Sequence, residues 1–167
     1  MPVYGILVWP PADLEAFLLK LKAKHRVRGF GPPHLNLRQP FDWDYSEESL
    51  KRAVEGILRS YAPFRLRLGG WQAFPQGVVY LRAYGGSAFD KLHQGLEPLA
   101  RPLKEIEGPS YIPHLTLALG LSPKKAQNLV GKLPLPERAS FTVREVALVS
   151  DTATGGLCEV ARFVLAK

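Results

Sequence analysis

Two histidines stand in matching surroundings, 80 residues apart. The first begins the string HLNL at His34–Leu37, and the second begins the string HLTL at His114–Leu117. Imidazole has an ordinary pKa of about 6.5, so near neutral pH it can accept or donate a proton. Two imidazoles could therefore take a proton from an attacking water and give one to a departing oxygen, each contributing roughly 10²- to 10⁴-fold to the rate.

Alternation along both strings predicts short β-strands, whose side chains point to opposite faces in turn. His34, Asn36 and Arg38 would then share one face, and His114 and Thr116 would share one in the second strand. The intervening leucines would pack against helices, which turns the histidines toward a groove. Either histidine alone would more often be structural, whereas the pair favours a functional site.

The elements around these strands occur in the same order twice: strand, helix, histidine strand, helix, strand. Corresponding landmarks lie 75 to 80 residues apart, at Val3 and Val78, His34 and His114, and Phe64 and Phe141. The predicted strands are 3–9, 34–37, 64–68, 78–84, 114–117, 141–149 and 157–165. The predicted helices cover 12–25 and then begin at Ser46, Ser87 and Ser122.

This order indicates an α+β fold that arose by duplication. We expect one domain over residues 1–167, made of two pseudo-symmetric halves of about 1–76 and 77–167. Each half would form a lobe, an antiparallel sheet with two helices on its outer face. A pseudo-twofold axis would relate the lobes and leave a central groove between them.

Three strings carry a resemblance to a known family: GPPHLNL at 31–37, FRLRLGGWQAF at 64–74 and YIPHLTL at 111–117. Over essentially its whole length the chain resembles the 2H (two-histidine) phosphoesterase superfamily, nearest to its 2′-5′ RNA ligase-like, or RNA 2′,3′-cyclic phosphodiesterase, branch. The resemblance implies a phosphodiesterase without cofactor or metal, acting on 2′,3′-cyclic phosphates of RNA ends or small nucleotides. Its product would be a 2′-phosphomonoester, and reverse 2′-5′ ligation of RNA is open in principle.

Within that resemblance, His34 and His114 would be the acid–base pair, with either one as the base. Thr116 and Asn36 would donate hydrogen bonds to phosphate oxygens, although the family pattern has Thr or Ser where this chain has Asn36. The second motif continues as Ala118-Leu119, without the basic residue common in the family. Substrate binding is therefore expected from other residues, namely Arg38, Arg65, Arg67, Arg82 and the ring of Tyr111.

Composition agrees with an anionic partner. The chain has 22 Lys and Arg against 15 Asp and Glu, a net charge of +7 that favours nucleic acid. The single cysteine, Cys158, excludes an internal disulfide and a thiolate metal cage, and its apolar neighbours predict burial. With no apolar run long enough for a membrane span and no basic leader, we expect a cytoplasmic monomer.

Two other functions fit the same residues. The chain could be a non-catalytic RNA- or nucleotide-binding module, because Asn36 departs from the motif. It could also be an esterase of the same chemistry that acts on a non-RNA cyclic phosphate. The basic run 20–28 also has two interpretations: it is either a solvated helix end or a contact with the RNA backbone.

Overall fold

The computed structural model describes residues 2–100, 111–152 and 154–166. The helices are α1 (Ala12–His25), α2 (Glu47–Leu58), α3 (Gly86–Leu96) and α4 (Pro123–Val130), and a short 3₁₀ turn at Glu97–Leu99 follows α3. The first strands are β1 (Val3–Val8), β2 (Leu35–Asn36), β3 (Phe41–Asp42), β4 (Phe64–Phe74) and β5 (Val78–Tyr84). They are followed by β6 (His114–Ala118), β7 (Ser140–Val143), β8 (Glu145–Asp151) and β9 (Leu157–Val164).

The strands of the described ranges form one nine-stranded antiparallel sheet in the order β7-β4-β5-β6-β2-β1-β8-β9, with β3 paired to β1. Strands β7 and β8 lie near opposite ends of this order, yet Arg144 alone separates them in the chain. The sheet must therefore curl to bring its ends together. The curl gives it a concave face, and the predicted α+β class is confirmed.

The prediction that each half of the chain builds its own sheet is wrong. Strand β4 of the first half pairs with β5 and β7 of the second, and β8 of the second half pairs with β1. Phe64 and Phe141, expected to be counterparts, lie in the adjacent strands β4 and β7. Hydrophobic periodicity predicts strands but does not specify their partners. The pseudo-symmetry of residues 1–76 and 77–167 stays a prediction.

Helices pack on the face of the sheet that carries the leucines of β2 and β6. Leu35, Leu115 and Leu117 are fully buried and belong to one apolar cluster that includes residues of all four helices. The predicted helix starts at Ser46 and Ser122 are confirmed, because each serine caps its helix: its hydroxyl accepts a hydrogen bond of 3.2 Å from the backbone N–H three residues on. None of the four described helices packs on the histidine side of β2 and β6.

Several predicted boundaries need correction. Strand β4 continues through Gly69 and Gly70, where the register against β5 shifts in a bulge. A Cβ on Gly69 would lie 2.7 Å from Cε2 of Tyr84, so a larger residue at this position would displace the ring of Tyr84. Helix α3 is capped by Gly85 rather than Ser87, and the predicted strand 141–149 is broken at Arg144 into β7 and β8.

Cys158 is exposed on β9, contrary to the prediction of burial, because β9 is an edge strand with one sheet neighbour. Within the described ranges, no helix combines the length and the apolar character needed to cross a membrane.

Candidate active site

The register of β2 against β6 brings the two histidine motifs together. Leu35 pairs with Leu115 in the antiparallel sense, which places His34 opposite Thr116 and Asn36 opposite His114. All four side chains point away from the buried leucines, toward the concave face. The histidines are diagonal neighbours, a relation in which Cβ atoms are about 7–8 Å apart. A small group bound between them could touch both imidazoles.

A cavity of about 230 Å³ lies at this point, and we call it the central cavity. Both histidines, Asn36, Thr116 and Tyr111 line it, so the structure brings these five predicted site residues into one place. Its other lining residues are Phe30, Pro32, Gln39, Pro40, Phe74, Val78 and Leu119.

Backbone carbonyls fix both imidazole rings in the same way. Nδ1 of His34 lies 2.7 Å from the carbonyl oxygen of Pro32, and Nδ1 of His114 lies 2.6 Å from that of Ile112. A carbonyl oxygen can only accept, so Nδ1 carries the hydrogen in each ring. In the neutral form, Nε2 is then the nitrogen that accepts a proton. Each motif thus sets the tautomer of its histidine through the residue two positions earlier.

The surroundings of His34 favour its neutral form. Partial burial is the main cause that lowers its pKa, and the positive charges of Lys22 and His114 lower it further. The hydrogen bond to Pro32 opposes this shift without reversing it. At neutral pH His34 is therefore mainly unprotonated, as a group that must accept a proton needs to be.

Lys22 is a site residue that sequence reasoning did not single out. It lies in α1, and its Nζ is 3.1 Å from the point where a Cβ of Gly29 would stand, in the loop that leads to His34. A hydrogen bond of 2.7 Å from the N–H of Leu119 to the carbonyl of Arg28 ties this loop to the end of β6. The basic run 20–28 was the only signal, and it does not reveal which lysine lies near the histidines.

Aromatic rings flank both histidines. Phe74 and Tyr80 stack on each other, and the centroid of each ring lies 5.3 Å from that of His114. The plane of each ring is steeply inclined to that of the imidazole. Trp9 follows β1 and lies opposite His34, with centroids 6.2 Å apart. Its indole N–H donates to Glu159 at 2.9 Å. Sequence alternation missed Trp9 and Phe74, because cross-strand neighbours are known only once strand partners are known.

Tyr111 forms one wall of the central cavity, 6.1 Å from His114 between ring centroids. It stacks on His93 of α3 at 4.7 Å, and Nδ1 of His93 donates to the carbonyl of Leu37 at 2.7 Å. His93 thus has a structural role, in that it links α3 to the end of β2 and supports Tyr111.

Arg65, Arg67 and Arg82 lie outside the central cavity but on the same face of the sheet, and we call them the arginine strip. Arg82 is the cross-strand partner of His114 and donates to the carbonyls of Ala83 and Pro113 at 2.9 and 3.1 Å. Arg67 and Arg82 each lie 4.4 Å from the ring centroid of Tyr84. Exposed Arg65 donates to Ser140 at 2.6 Å. Their predicted contact with substrate stays a prediction.

The prediction that Arg38 binds substrate is wrong. Arg38 is 1% exposed and donates to the carbonyls of Leu96 and Ala100 at 3.1 and 2.6 Å, with its guanidinium 4.4 Å from the ring centroid of Phe41. Burial lowers its pKa to about 10. Strand β2 ends at Asn36, so the alternation that would place Arg38 beside His34 no longer applies.

Over residues 2–100, 111–152 and 154–166 there is no group of three or more His, Cys, Asp or Glu side chains that could hold a metal ion. Two imidazoles face one small cavity, and Asn36 and Thr116 add hydrogen-bond donors between them.

Comparison with known proteins shows the family to which the chain belongs. The model of the 2′-5′ RNA ligase superfamily matches residues 10–155. An RNA 2′,3′-cyclic phosphodiesterase of Methanothermobacter thermautotrophicus is 29% identical over 136 residues, 75% of this chain and 74% of that protein. A Bacillus pumilus protein described as a predicted phosphoesterase is 27% identical over 139 residues, 79% of this chain and 78% of that protein.

Among solved structures, apo LigT of E. coli has a similar fold, with a TM-score of 0.69 and 19% identity over 99% of this chain and 98% of LigT. The match to the family model spans both histidine motifs and most of the sheet. The chain therefore belongs to the 2′-5′ RNA ligase superfamily, as a phosphoesterase of the two-histidine type.

Proposed function

We propose that the protein hydrolyses 2′,3′-cyclic phosphates, at RNA ends or in small nucleotides, to phosphomonoesters without a metal ion. The observation that carries the proposal is the pairing of Leu35 with Leu115, which sets two imidazoles diagonally across one cavity. The name of the Methanothermobacter relative supports this substrate. The crystal structure of E. coli LigT with 3′-AMP supports a nucleotide ligand for this fold.

The lowered pKa of His34 supports a division of roles for hydrolysis in which His34 is the base and His114 the acid. Neutral His34 takes a proton from water through Nε2 while the water oxygen attacks phosphorus. The bond from phosphorus to the 3′-oxygen breaks, and protonated His114 gives that oxygen its proton. One water is consumed, and the product carries a 2′-phosphate and a free 3′-hydroxyl. A 5′-hydroxyl in place of water would give a 2′-5′ bond by the same steps.

Asn36 and Thr116 hold the phosphate between the imidazoles. Each lies directly opposite one histidine, so the amide of Asn36 and the hydroxyl of Thr116 can donate to the two non-bridging oxygens. Donors fixed on a sheet cost no reorganisation when negative charge builds up at these oxygens. An asparagine can thus fill the place that Thr or Ser holds elsewhere in the family.

The arginine strip favours RNA ends among the substrates of this site. Its cations begin beside His114 and continue across β4 toward β7, along which the phosphates of a longer RNA chain could lie.

The expected monomeric state and cytoplasmic location stay predictions.

The proposal is tested with nucleoside 2′,3′-cyclic phosphates incubated with the protein in EDTA, with ³¹P NMR against 2′- and 3′-monophosphate standards. We expect 2′-monophosphate at the same rate with and without the chelator, because both proton transfers use side chains. Binding without turnover would support the non-catalytic module instead. Abolition of turnover by EDTA would contradict the metal-free mechanism.

The pH dependence of the same reaction tests the role of His34. Protonation of His34 removes the base, so kcat/KM falls as the pH drops through the pKa of His34 in the free protein. Since burial lowers that pKa, the midpoint of the acidic limb is expected below the ordinary histidine value of about 6.5. A midpoint above that value would contradict the assignment of His34 as the base.

A further inference from the structure

A second, smaller pocket opens beside the central cavity on the concave face, and we call it the side pocket. Its apolar surface comes from Gly5, Leu7, Val149, Leu157 and Phe30, and Asp151 stands at its rim. It shares Phe30, His34, Asn36 and Pro40 with the central cavity, so a ligand held between the histidines can extend into it. None of the steps of phosphate hydrolysis uses this pocket.

The position of the side pocket matches that of a nucleoside attached to the reacting phosphate. Gly5 and Leu7 lie on β1, the strand next to β2, and neighbouring strands are about 4.8 Å apart. The pocket therefore begins one strand away from the imidazoles, on the side opposite to the arginine strip. A sugar at the histidines would direct its base along β1 and β8.

The size and surface of the side pocket suit one flat ring. Its volume is about 160 Å³, and an apolar cavity of about 150 Å³ takes up a single benzene ring. Gly5 leaves the floor open, because a Cβ on it would meet only Cγ2 of Val149, at 3.3 Å. Half-exposed Phe30 forms the opposite wall, in a loop whose Gly31 lies against Leu157.

Asp151 gives the pocket a polar end that can accept a hydrogen bond from a ligand. Val3 lies opposite Asp151 when the register of β1 against β8 is continued by one residue, and it is four residues along β1 from Leu7, which pairs with Asn36. The N–H of Val3 donates to Oδ1 of Asp151 at 2.9 Å. Oδ2 lies outside that bond and can accept from a ligand. Since Asp151 is the lining residue farthest along β1 from the histidines, it faces the part of a base farthest from the sugar.

From this geometry we infer that the side pocket binds the base of the substrate nucleotide and selects cytosine. In a pyrimidine the atom farthest from the sugar is at position 4, where cytosine carries an amino donor and uracil an oxygen acceptor. A carboxylate accepts from the first and repels the second. A purine has two rings and exceeds the space. The inference rests on the proposed function, because it takes the reacting phosphate to lie at the histidines.

The test compares kcat/KM for cytidine, uridine and adenosine 2′,3′-cyclic phosphates with that for 1-O-methylribose 2′,3′-cyclic phosphate, which has no base. We expect cytidine to be the best substrate. Asp151→Asn should lower the preference for cytidine over uridine about tenfold, because the amide offers a donor to the uracil oxygen. It keeps the oxygen that accepts from Val3, so the fold is retained. Asp90→Asn, at an exposed position of α3, is the matched control and should change nothing.

Gly5→Ala adds a methyl group to the floor of the pocket and should raise KM for the cytidine and uridine substrates, with no change for the base-free substrate. Equal turnover of all four substrates, or a preference for adenosine, would overturn the base pocket and leave the proposed function standing. If the ratios of kcat/KM among the substrates were unchanged in both Asp151→Asn and Gly5→Ala, the base pocket would be overturned as well. No turnover of any substrate, the base-free one included, would overturn the proposed function and this inference together.

Discussion

His114→Ala is expected to lower kcat on a nucleoside 2′,3′-cyclic phosphate by roughly 10²- to 10⁴-fold, and His34→Ala by a similar factor. Each change removes one of the two proton transfers, while Asn36 and Thr116 still hold the phosphate. KM should therefore change much less than kcat. Because the imidazoles act as a unit, the double variant should be about as slow as the slower single one. Steady-state kinetics in EDTA measure all three.

Two further variants separate catalysis from folding. His114→Asn keeps an amide that can donate to the carbonyl of Ile112 but has no second ring nitrogen, so it should fold normally and stay inactive. His25→Gln, at the end of α1 and outside the central cavity, should keep full activity. Turnover of His114→Ala near the wild-type rate would contradict the acid–base pair.

Arg38→Ala is expected to lower the free energy of unfolding by about 3 kcal/mol, because it deprives two carbonyls of charged donors and leaves a cavity. Those carbonyls belong to Leu96, the last residue of α3, and to Ala100, which follows the 3₁₀ turn. Urea denaturation measures the change. Arg38→Lys, which keeps one cation but loses the fork of donors, should recover part of the stability.

Kinetics distinguish this structural role from the substrate contact that the sequence suggested for Arg38. Well below the melting temperature of the variant, KM and kcat of Arg38→Ala should match those of the wild type, because Arg38 is buried away from the cavity. A raised KM with unchanged stability would contradict the structural role and support a contact with substrate.

The histidine strands were predictable because their alternation is local. Leu35 and Leu115 pair with each other, and the alternation holds for one residue on either side, which is enough to place His34, Asn36, His114 and Thr116 on one face. It fails at Arg38, two residues farther on, because β2 has already ended. A strand of two residues is too short for the pattern of the sequence to mark its end.

The remaining parts of the site depend on contacts that are distant in the chain. Trp9 stands beside His34 because β1 pairs with β2, and Lys22 lies near it because the end of α1 meets the loop before β2. The pairing of β4 with β5 and β7, and of β8 with β1, likewise joins strands from different halves of the chain. Apolar patterning shows that a strand is buried without naming the strand beside it.

The central claim is that one phosphorus atom lies between the two imidazoles, and a crystal structure of the protein with a nucleoside 2′-monophosphate tests it most directly. We predict Nε2 of His34 and of His114 within about 2.6–3.2 Å of phosphate oxygens on opposite sides of the phosphorus. Asn36 and Thr116 should donate to the other oxygens. A phosphate bound on the arginine strip, or in contact with one imidazole alone, would contradict the account.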